Sequence, residues 1–320
     1  MFRSADLKLC CIFLLLVLGV LANLFNLVVM LVQQWRSGGV KTVALIICFI
    51  SLGNILLQIS TFVLSVSVWV GVLCWSDLPL FFCVVLFVWL SSSSVSFWCV
   101  AWLSVLYCVR VMSFSSVLLR AMKENISSIL NVTLVATLLT SYVTFTPFFY
   151  LHFQNETLLT NMTEECDIKK PLFPAWLNVN IYVIVFISYL TLIPLMIMLP
   201  TSLRLVVYLC KHTSSMQKNH QSGSHAAESY LLVCRLTVAL VWVYLVTLLT
   251  ISLYYFHAIF ASGLSADMLF LGLSFYCVAS AILLTCSNKN LREKVRVLFS
   301  WGKKTLSRSV EDKSGVTERL

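Results

Sequence analysis

Leu80-Phe-Phe-Cys-Val-Val-Leu-Phe-Val-Trp-Leu-Ser-Ser-Ser-Ser-Val-Ser-Phe-Trp-Cys-Val-Ala-Trp-Leu-Ser-Val-Leu-Tyr-Cys-Val109 contains no charged residue, and the nearest charges are Asp77 and Arg110. As an α-helix rising about 1.5 Å per residue, this stretch would be about 45 Å long. That exceeds the roughly 30 Å hydrocarbon core of a bilayer. Water would tolerate neither the length nor the apolarity, so this segment reads as a membrane-spanning helix.

Six further charge-free gaps accompany it, at 9–35, 42–76, 125–155, 171–203, 236–266 and 268–288. Trimmed to their apolar cores, the seven predict an all-α membrane protein, a seven-transmembrane-helix bundle with helices at 9–32, 43–72, 80–109, 129–151, 177–209, 229–256 and 267–287. Residues 1–8 form a short outer amino terminus and 288–320 a basic cytoplasmic tail. The composition agrees: of 320 residues, 60% are hydrophobic and 11% charged, with a mean hydropathy of +0.93. Transmembrane β-strands would instead give alternating segments of about 10 residues. The first segment, though preceded by Arg3 and Lys8, is longer than a cleaved apolar leader and reads as a retained helix.

Lys and Arg accumulate on the cytoplasmic side of membranes, which sets the orientation. With the amino terminus outside, 18 basic and 6 acidic residues fall inside, against 4 basic and 7 acidic outside. The opposite orientation would reverse that bias. The pI near 9.0 follows from the same asymmetry and does not signal nucleic acid. Asn288 to Trp301 reads as a basic amphipathic helix along the inner leaflet, with Leu291, Val295, Leu298 and Phe299 on one face.

Charges inside a bilayer usually mark ion or proton pathways. Here they stay at the helix ends, which disfavours a pump or coupled transporter. The five His lie in loops or near helix ends, and neither HExxH nor a glycine-rich phosphate loop occurs. The sequence therefore predicts no enzyme, no metal site and no cofactor. Cys10, Cys11, Cys48, Cys99, Cys108, Cys234, Cys277 and Cys286 read as small apolar residues within helices. Cys74, Cys83 and Cys166 face outward. A Cys83–Cys166 bridge would pin the second outer loop over the bundle, although three candidates permit other pairings. In that loop, about 152–176, Asn155-Glu-Thr and Asn161-Met-Thr are glycan-acceptor triplets, with Asn161 farther from the membrane. Asn125-Ile-Ser and Asn131-Val-Thr have the same form but fall at the inner face and within a helix.

Leu103-Ser-Val-Leu-Tyr-Cys-Val-Arg-Val-Met-Ser-Phe-Ser115 resembles the pattern LSxFYFLKIAxFS of the type 2 taste receptors, the bitter receptors, with Arg110 where that family has Lys. Pro194, Leu209, Lys211, His212, Met216 and Asn219 keep that family's fifth-helix spacing. Gly19-Val-Leu-Ala-Asn23-Leu-Phe25 is similar to its GxxxNxF. Ser280-Ala-Ile-Leu-Leu-Thr-Cys-Ser-Asn288-Lys-Asn-Leu291-Arg292 is similar to HSxxLIxxNxKLK. Asn54 and Ser280 depart from the family's usual Arg and His, and the sixth helix matches only loosely. Asp-Arg-Tyr and Asn-Pro-x-x-Tyr, the rhodopsin-class marks, do not stand at the ends of the third and seventh helices.

The resemblance implies a multi-pass plasma-membrane receptor that binds small, mostly apolar bitter ligands and activates a gustducin-like heterotrimeric G protein. Trp89 and Ser93 share a helix face at i, i+4, and they correspond to the family's ligand-contacting Trp and Asn. Phe97 continues that stripe inward. Phe270 stands at a contact position often polar or acidic in the family, which implies a preference for neutral ligands. Tyr244 is the expected switch-region aromatic. Tyr107, Arg110, Arg204, Lys211 and His212 are the expected G-protein-coupling residues. A pheromone-type vomeronasal receptor is the alternative within this architecture, and a membrane transport protein a more distant one.

Overall fold

Backbone amides in lipid find no partners except one another, so the charge-free runs become long helices. The computed structural model of this chain describes residues 4–39, 41–70, 79–111, 117–150, 152–155, 169–172, 177–218, 238–254, 267–288, 290–297 and 300. Helix α1 is Ser4–Ser37, α2 Thr42–Val70, α3 Pro79–Val111 and α4 Val117–Phe145, the last closing in a 3-10 turn at Thr146–Tyr150. Helix α5 runs Val179–Ile187, passes through a π turn at Ser188–Leu192, and continues as Ile193–Lys218. Helix α6 is Val238–Tyr254 and α7 is Asp267–Ser287. Among the described residues six helices are long and apolar enough to cross a membrane, and α6 is apolar but shorter. The rest of the expected sixth span, 229–237 and 255–256, lies outside the described residues. A further helical stretch covers 290–297.

Several helices overrun the expected boundaries. Helix α1 extends to Ser37 rather than 32, α4 begins at Val117 rather than 129, and α5 ends at Lys218 rather than 209. A charge marks where a chain leaves hydrocarbon, whereas intrahelical hydrogen bonding continues into water. Gly38, at φ +62°, ends α1 in the left-handed conformation that only glycine adopts freely. Part of the expected outer loop is ordered as a hairpin. Strand β1 (His152–Asn155) pairs antiparallel with β2 (Lys169–Leu172), Asn155 lying opposite Lys169.

Helix α3 lies at the centre. Val100, Ala101, Leu103 and Leu106 on it are fully buried, together with Ile46, Ile47, Ile50 and Leu57 of α2 and Tyr276, Cys277 and Ala281 of α7. Phe13, Leu14, Leu18 and Leu21 of α1 and Val132, Val135, Leu139 and Val143 of α4 point outward. In water such a belt would drive aggregation. In lipid it is the expected surface.

The four-serine run Ser91–Ser94 explains how α3 can be surrounded. Ser91, Ser92 and Ser93 donate to carbonyls one turn back, those of Phe87, Val88 and Trp89, while Ser94 meets Ser141 of α4 at 2.9 Å. Small side chains with internally satisfied hydroxyls let neighbouring helices approach. Opposite them, a Cβ added to Gly53 of α2 would lie 3.2 Å from the Ser92 carbonyl oxygen. That atom is backbone and cannot rotate away. Gly53→Val is therefore expected to cost about 1–3 kcal/mol through overpacking and to lower the melting temperature of detergent-solubilised protein. Gly39→Ala, whose Cβ would meet nothing within 4 Å, should leave it unchanged.

Candidate functional site: an aromatic cavity above a buried polar network

All five residues expected at the outer pocket are buried. Trp89 is 7% exposed, Phe270 6%, Ser93 and Tyr244 2%, and Phe97 1%. Trp89 Nε1 donates to Thr61 Oγ1 of α2 at 2.9 Å, and the Phe270 ring meets the indole edge to face at 6.2 Å. This hydrogen bond fixes the orientation of the indole. Trp89, Ser93 and Phe97 line one small cavity with Leu190, Ile251 and Leu273, and its volume is about 10 Å³, room for about one water. Ser93 Oγ donates its proton to the Trp89 and Leu90 carbonyls, which leaves it as an acceptor.

Phe97 links this cavity to two tyrosines. Tyr244 packs against it edge to face at 5.2 Å from α6, and Tyr276 does so at 4.9 Å from α7. The Tyr244 hydroxyl donates to the Thr191 carbonyl of α5 at 2.9 Å. Thr191 lies in the π turn, where the Ile193 N–H reaches back to the Ser188 carbonyl. Pro194, next in sequence, has no N–H and its ring would crowd the carbonyl four residues earlier, so a wider turn relieves the helix there. Tyr189 O, bypassed by Ile193, accepts from Trp98 Nε1 of α3 at 3.1 Å. Carbonyls of this irregular turn thus take side-chain donors from both α3 and α6.

Beneath the aromatic cluster lies a neutral polar network. The hydroxyls of Tyr276 and Ser96 are 2.9 Å apart, and Ser96 donates to Asn54 Oδ1 at 2.6 Å. Asn54 Nδ2 donates to Asn23 Oδ1 at 3.2 Å and Ser280 Oγ at 3.0 Å. Asn23 Nδ2 donates in turn to the Gly19 and Cys277 carbonyls. One continuous chain therefore joins α1, α2, α3 and α7, and each member is fully buried. Gly19 leaves room for Gln58, which a Cβ there would strike. Sequence reasoning gave no role to Ser96, Tyr276 or the amides. The available signal was uncharged amides in the middle of apolar spans, where an unpaired polar group is costly.

The sequence matches the taste receptor protein (TAS2R) family over residues 1–303. The chain belongs to this family. Similar relatives include taste receptor type 2 member 40 of Gallus gallus, 32% identical over 127 residues. Another is taste receptor type 2 member 103 of Rattus norvegicus, 24% identical over 298 residues. The first match spans 40% of each chain and the second 89% of each. This is a family of receptors rather than of enzymes, and this taste receptor is a multi-pass membrane protein. The vomeronasal and transport alternatives are not favoured by these matches.

Within this taste receptor, the two departures from the family pattern touch each other. Asn54 and Ser280 stand where Arg and His are usual, and they share a hydrogen bond. Both side chains are neutral, so this contact places no charge at the bundle centre.

The residues expected to couple to a G protein divide between two places. Tyr107 packs against Leu205 and Leu209 of α5 and lines a cavity of about 70 Å³ with Leu103, Met198, Leu240 and Ser287. Arg204 and Lys211 are exposed on α5, and the side chain of His212 lies outside those described. Arg110 is exposed too, but it lines a different cleft, beside Lys41 and Asn131. Cys83, near the start of α3, is a free thiol buried in the core. Cys166 and Asn161 lie outside the described residues, and Asn155 lies in β1.

If Asn54 and Ser280 act as a pair, the single substitutions Asn54→Ala and Ser280→Ala will not be additive in the double variant. Interhelical hydrogen bonds in membranes are worth about 0.6 kcal/mol on average and up to about 1.7. A double-mutant cycle on detergent melting should give a coupling in that range, whereas Asn54→Ala with Gly39→Ala should give none.

Proposed function

We propose that this taste receptor is a bitter-type chemosensory receptor with seven transmembrane helices, an outer amino terminus (1–8), a helix bundle (9–287) and a cytoplasmic tail (288–320). It binds small, mostly apolar ligands in the outer half of the bundle and activates a gustducin-like heterotrimeric G protein. Family membership over residues 1–303 carries this reading. The strong basic excess assigned to the inner loops supports the orientation.

A ligand shifts a receptor only through its preference for one of two packings. A drug-sized molecule needs several hundred Å³, so one that contacts Trp89 and Phe97 must first widen the small cavity between them. Moving Phe97 disturbs Tyr244 and Tyr276, which pack on its ring. Tyr244 holds the π turn of α5, and Tyr276 holds Ser96 in the polar network. Ligand entry is thereby coupled to two places where helices are joined. Phe270, apolar and edge to face with Trp89, favours neutral ligands over amines. Tyr107, Arg110, Arg204, Lys211 and His212 serve the G-protein face, while Asn155 and Asn161 are the glycan acceptors.

Calcium imaging of cells carrying the receptor and a gustducin-like Gα, screened against bitter compounds, tests this reading. A response is expected, with Trp89→Ala losing it and Tyr244→Phe lowering its maximum at equal surface level. Silence of a well-expressed receptor across the panel, without a plasma-membrane defect, would overturn the bitter-ligand assignment. Epitope tags on the two termini test orientation separately: only the amino-terminal tag should stain on intact cells.

A further inference from the structure

The inner end of α1 has the pattern of a membrane boundary. Leu24, Val28, Leu31 and Val32 are exposed along it, Trp35 is 88% exposed, and Arg36 follows at once. Exposed aliphatic residues ending in Trp and then Arg mark the passage from acyl chains to headgroups. The helical stretch 290–297 packs against this end. Asn288 begins it, its Oδ1 accepting from the Asn290 N–H at 3.0 Å, and Leu291 is fully buried, fixing the stretch to the bundle.

Between α1 and residues 290–297 lies a cleft of about 460 Å³. Val28, Val29 and Val32 form its apolar end, and Arg36 and Lys294 stand at its polar end, with Glu293 also bordering it. A second cleft, of about 580 Å³, shares Gln33 and Asn290 with the first and reaches Lys41, Arg110 and Asn131. Asn131 Oδ1 is buried and has no hydrogen-bond partner. A buried carbonyl oxygen in that state is costly until a donor reaches it.

We propose that the two adjoining clefts bind a phosphoinositide of the inner leaflet. Its acyl chains lie against Val28 and Val32, its phosphates lie among Arg36, Lys41, Arg110 and Lys294, and a ring hydroxyl donates to Asn131 Oδ1. Among the described lining residues, four basic side chains against one acid, Glu293, supply the charge complementarity. The position of the cations selects the lipid. Arg36 and Lys294 at the lipid edge would satisfy any single phosphodiester, whereas Lys41 and Arg110 in the second cleft require further phosphates on a larger headgroup. Asn131 Oδ1 lacks a donor, and the hydroxyls of an inositol ring can supply one. The location of this lipid in the inner leaflet rests on the orientation proposed above.

Binding is measured with the full chain in phosphatidylcholine nanodiscs, using a fluorescent phosphatidylinositol bisphosphate as probe. Both leaflets are accessible there, so the result does not depend on orientation, which the epitope tags decide independently. The probe should bind at least tenfold more tightly than labelled phosphatidylserine and tenfold more tightly than soluble inositol trisphosphate. Lys41→Gln/Lys294→Gln should weaken it at least tenfold, and Lys170→Gln, in β2, should not. Lys41 and Lys294 are exposed, and an unchanged melting temperature of the variant verifies folding. Arg36→Gln/Lys294→Gln provides a second variant at the lipid edge with the same expectation. Equal binding of phosphatidylserine, equal binding of the soluble headgroup, or wild-type affinity in both double variants would each overturn the proposal.

Discussion

Lipid offers no hydrogen-bond partners, and the organisation of this receptor follows from that constraint. Most hydroxyls, amides and indole N–H groups described within the bundle are answered from inside it, Ser51 Oγ, Gln58 Oε1 and Asn131 Oδ1 being exceptions. Helix α3 is the clearest case: Ser91, Ser92 and Ser93 turn to their own backbone, Ser94 and Ser96 reach α4 and α2, and Trp89, Trp98 and Trp102 reach α2, α5 and α4 respectively. The hydrogen bonds that satisfy α3 are thus also the ones that place its neighbours. Such bonds are individually modest, each about 0.6 kcal/mol on average, so the arrangement is specified by their number and geometry more than by their strength.

The same constraint shapes the middle of α5. Pro194 breaks the regular pattern of α5, and the carbonyls of the resulting turn are taken by Trp98 from α3 and Tyr244 from α6. Tyr244 reaches the outer cavity only through the ring of Phe97, which also supports Tyr276 and the polar network below it. A displacement at Phe97 therefore acts on α5, α6 and α7 together. Neutrality adds to this: with Asn54 and Ser280 at the centre, the network contains hydrogen bonds but no ion pair, and exchanging one partner for another involves no charge desolvation.

Among the described residues the bundle presents two distinct basic regions. Arg204 and Lys211 belong to α5, on the side where Tyr107 packs, while Arg110 lies with Lys41 in the cleft beside Asn288 and Asn290. One helix, α3, borders both. A headgroup at Arg110 and a protein partner at α5 would thus be sensed by a single rigid element, which gives a lipid a physical route to influence coupling.

The sequence alone determined that the chain crosses a membrane, because charge is excluded from hydrocarbon whatever the tertiary arrangement. Its motifs also carried the family, and the i, i+4 spacing of Trp89, Ser93 and Phe97 placed them on one face, which the structure brings to a common cavity. Helix ends were less legible, as at Val117 and Lys218, because helices continue past the hydrocarbon that the charges delimit. Ser93 could be read as a handle, yet only the fold assigns its hydroxyl to its own backbone. The partnership of Asn54 with Ser280 joins residues 226 positions apart, and the separation of Arg110 from Arg204 depends on how α3 is rotated among its neighbours. Tertiary structure decided these points because a hydrogen bond between helices depends on rotation and approach distance, which no single helix encodes in its own periodicity.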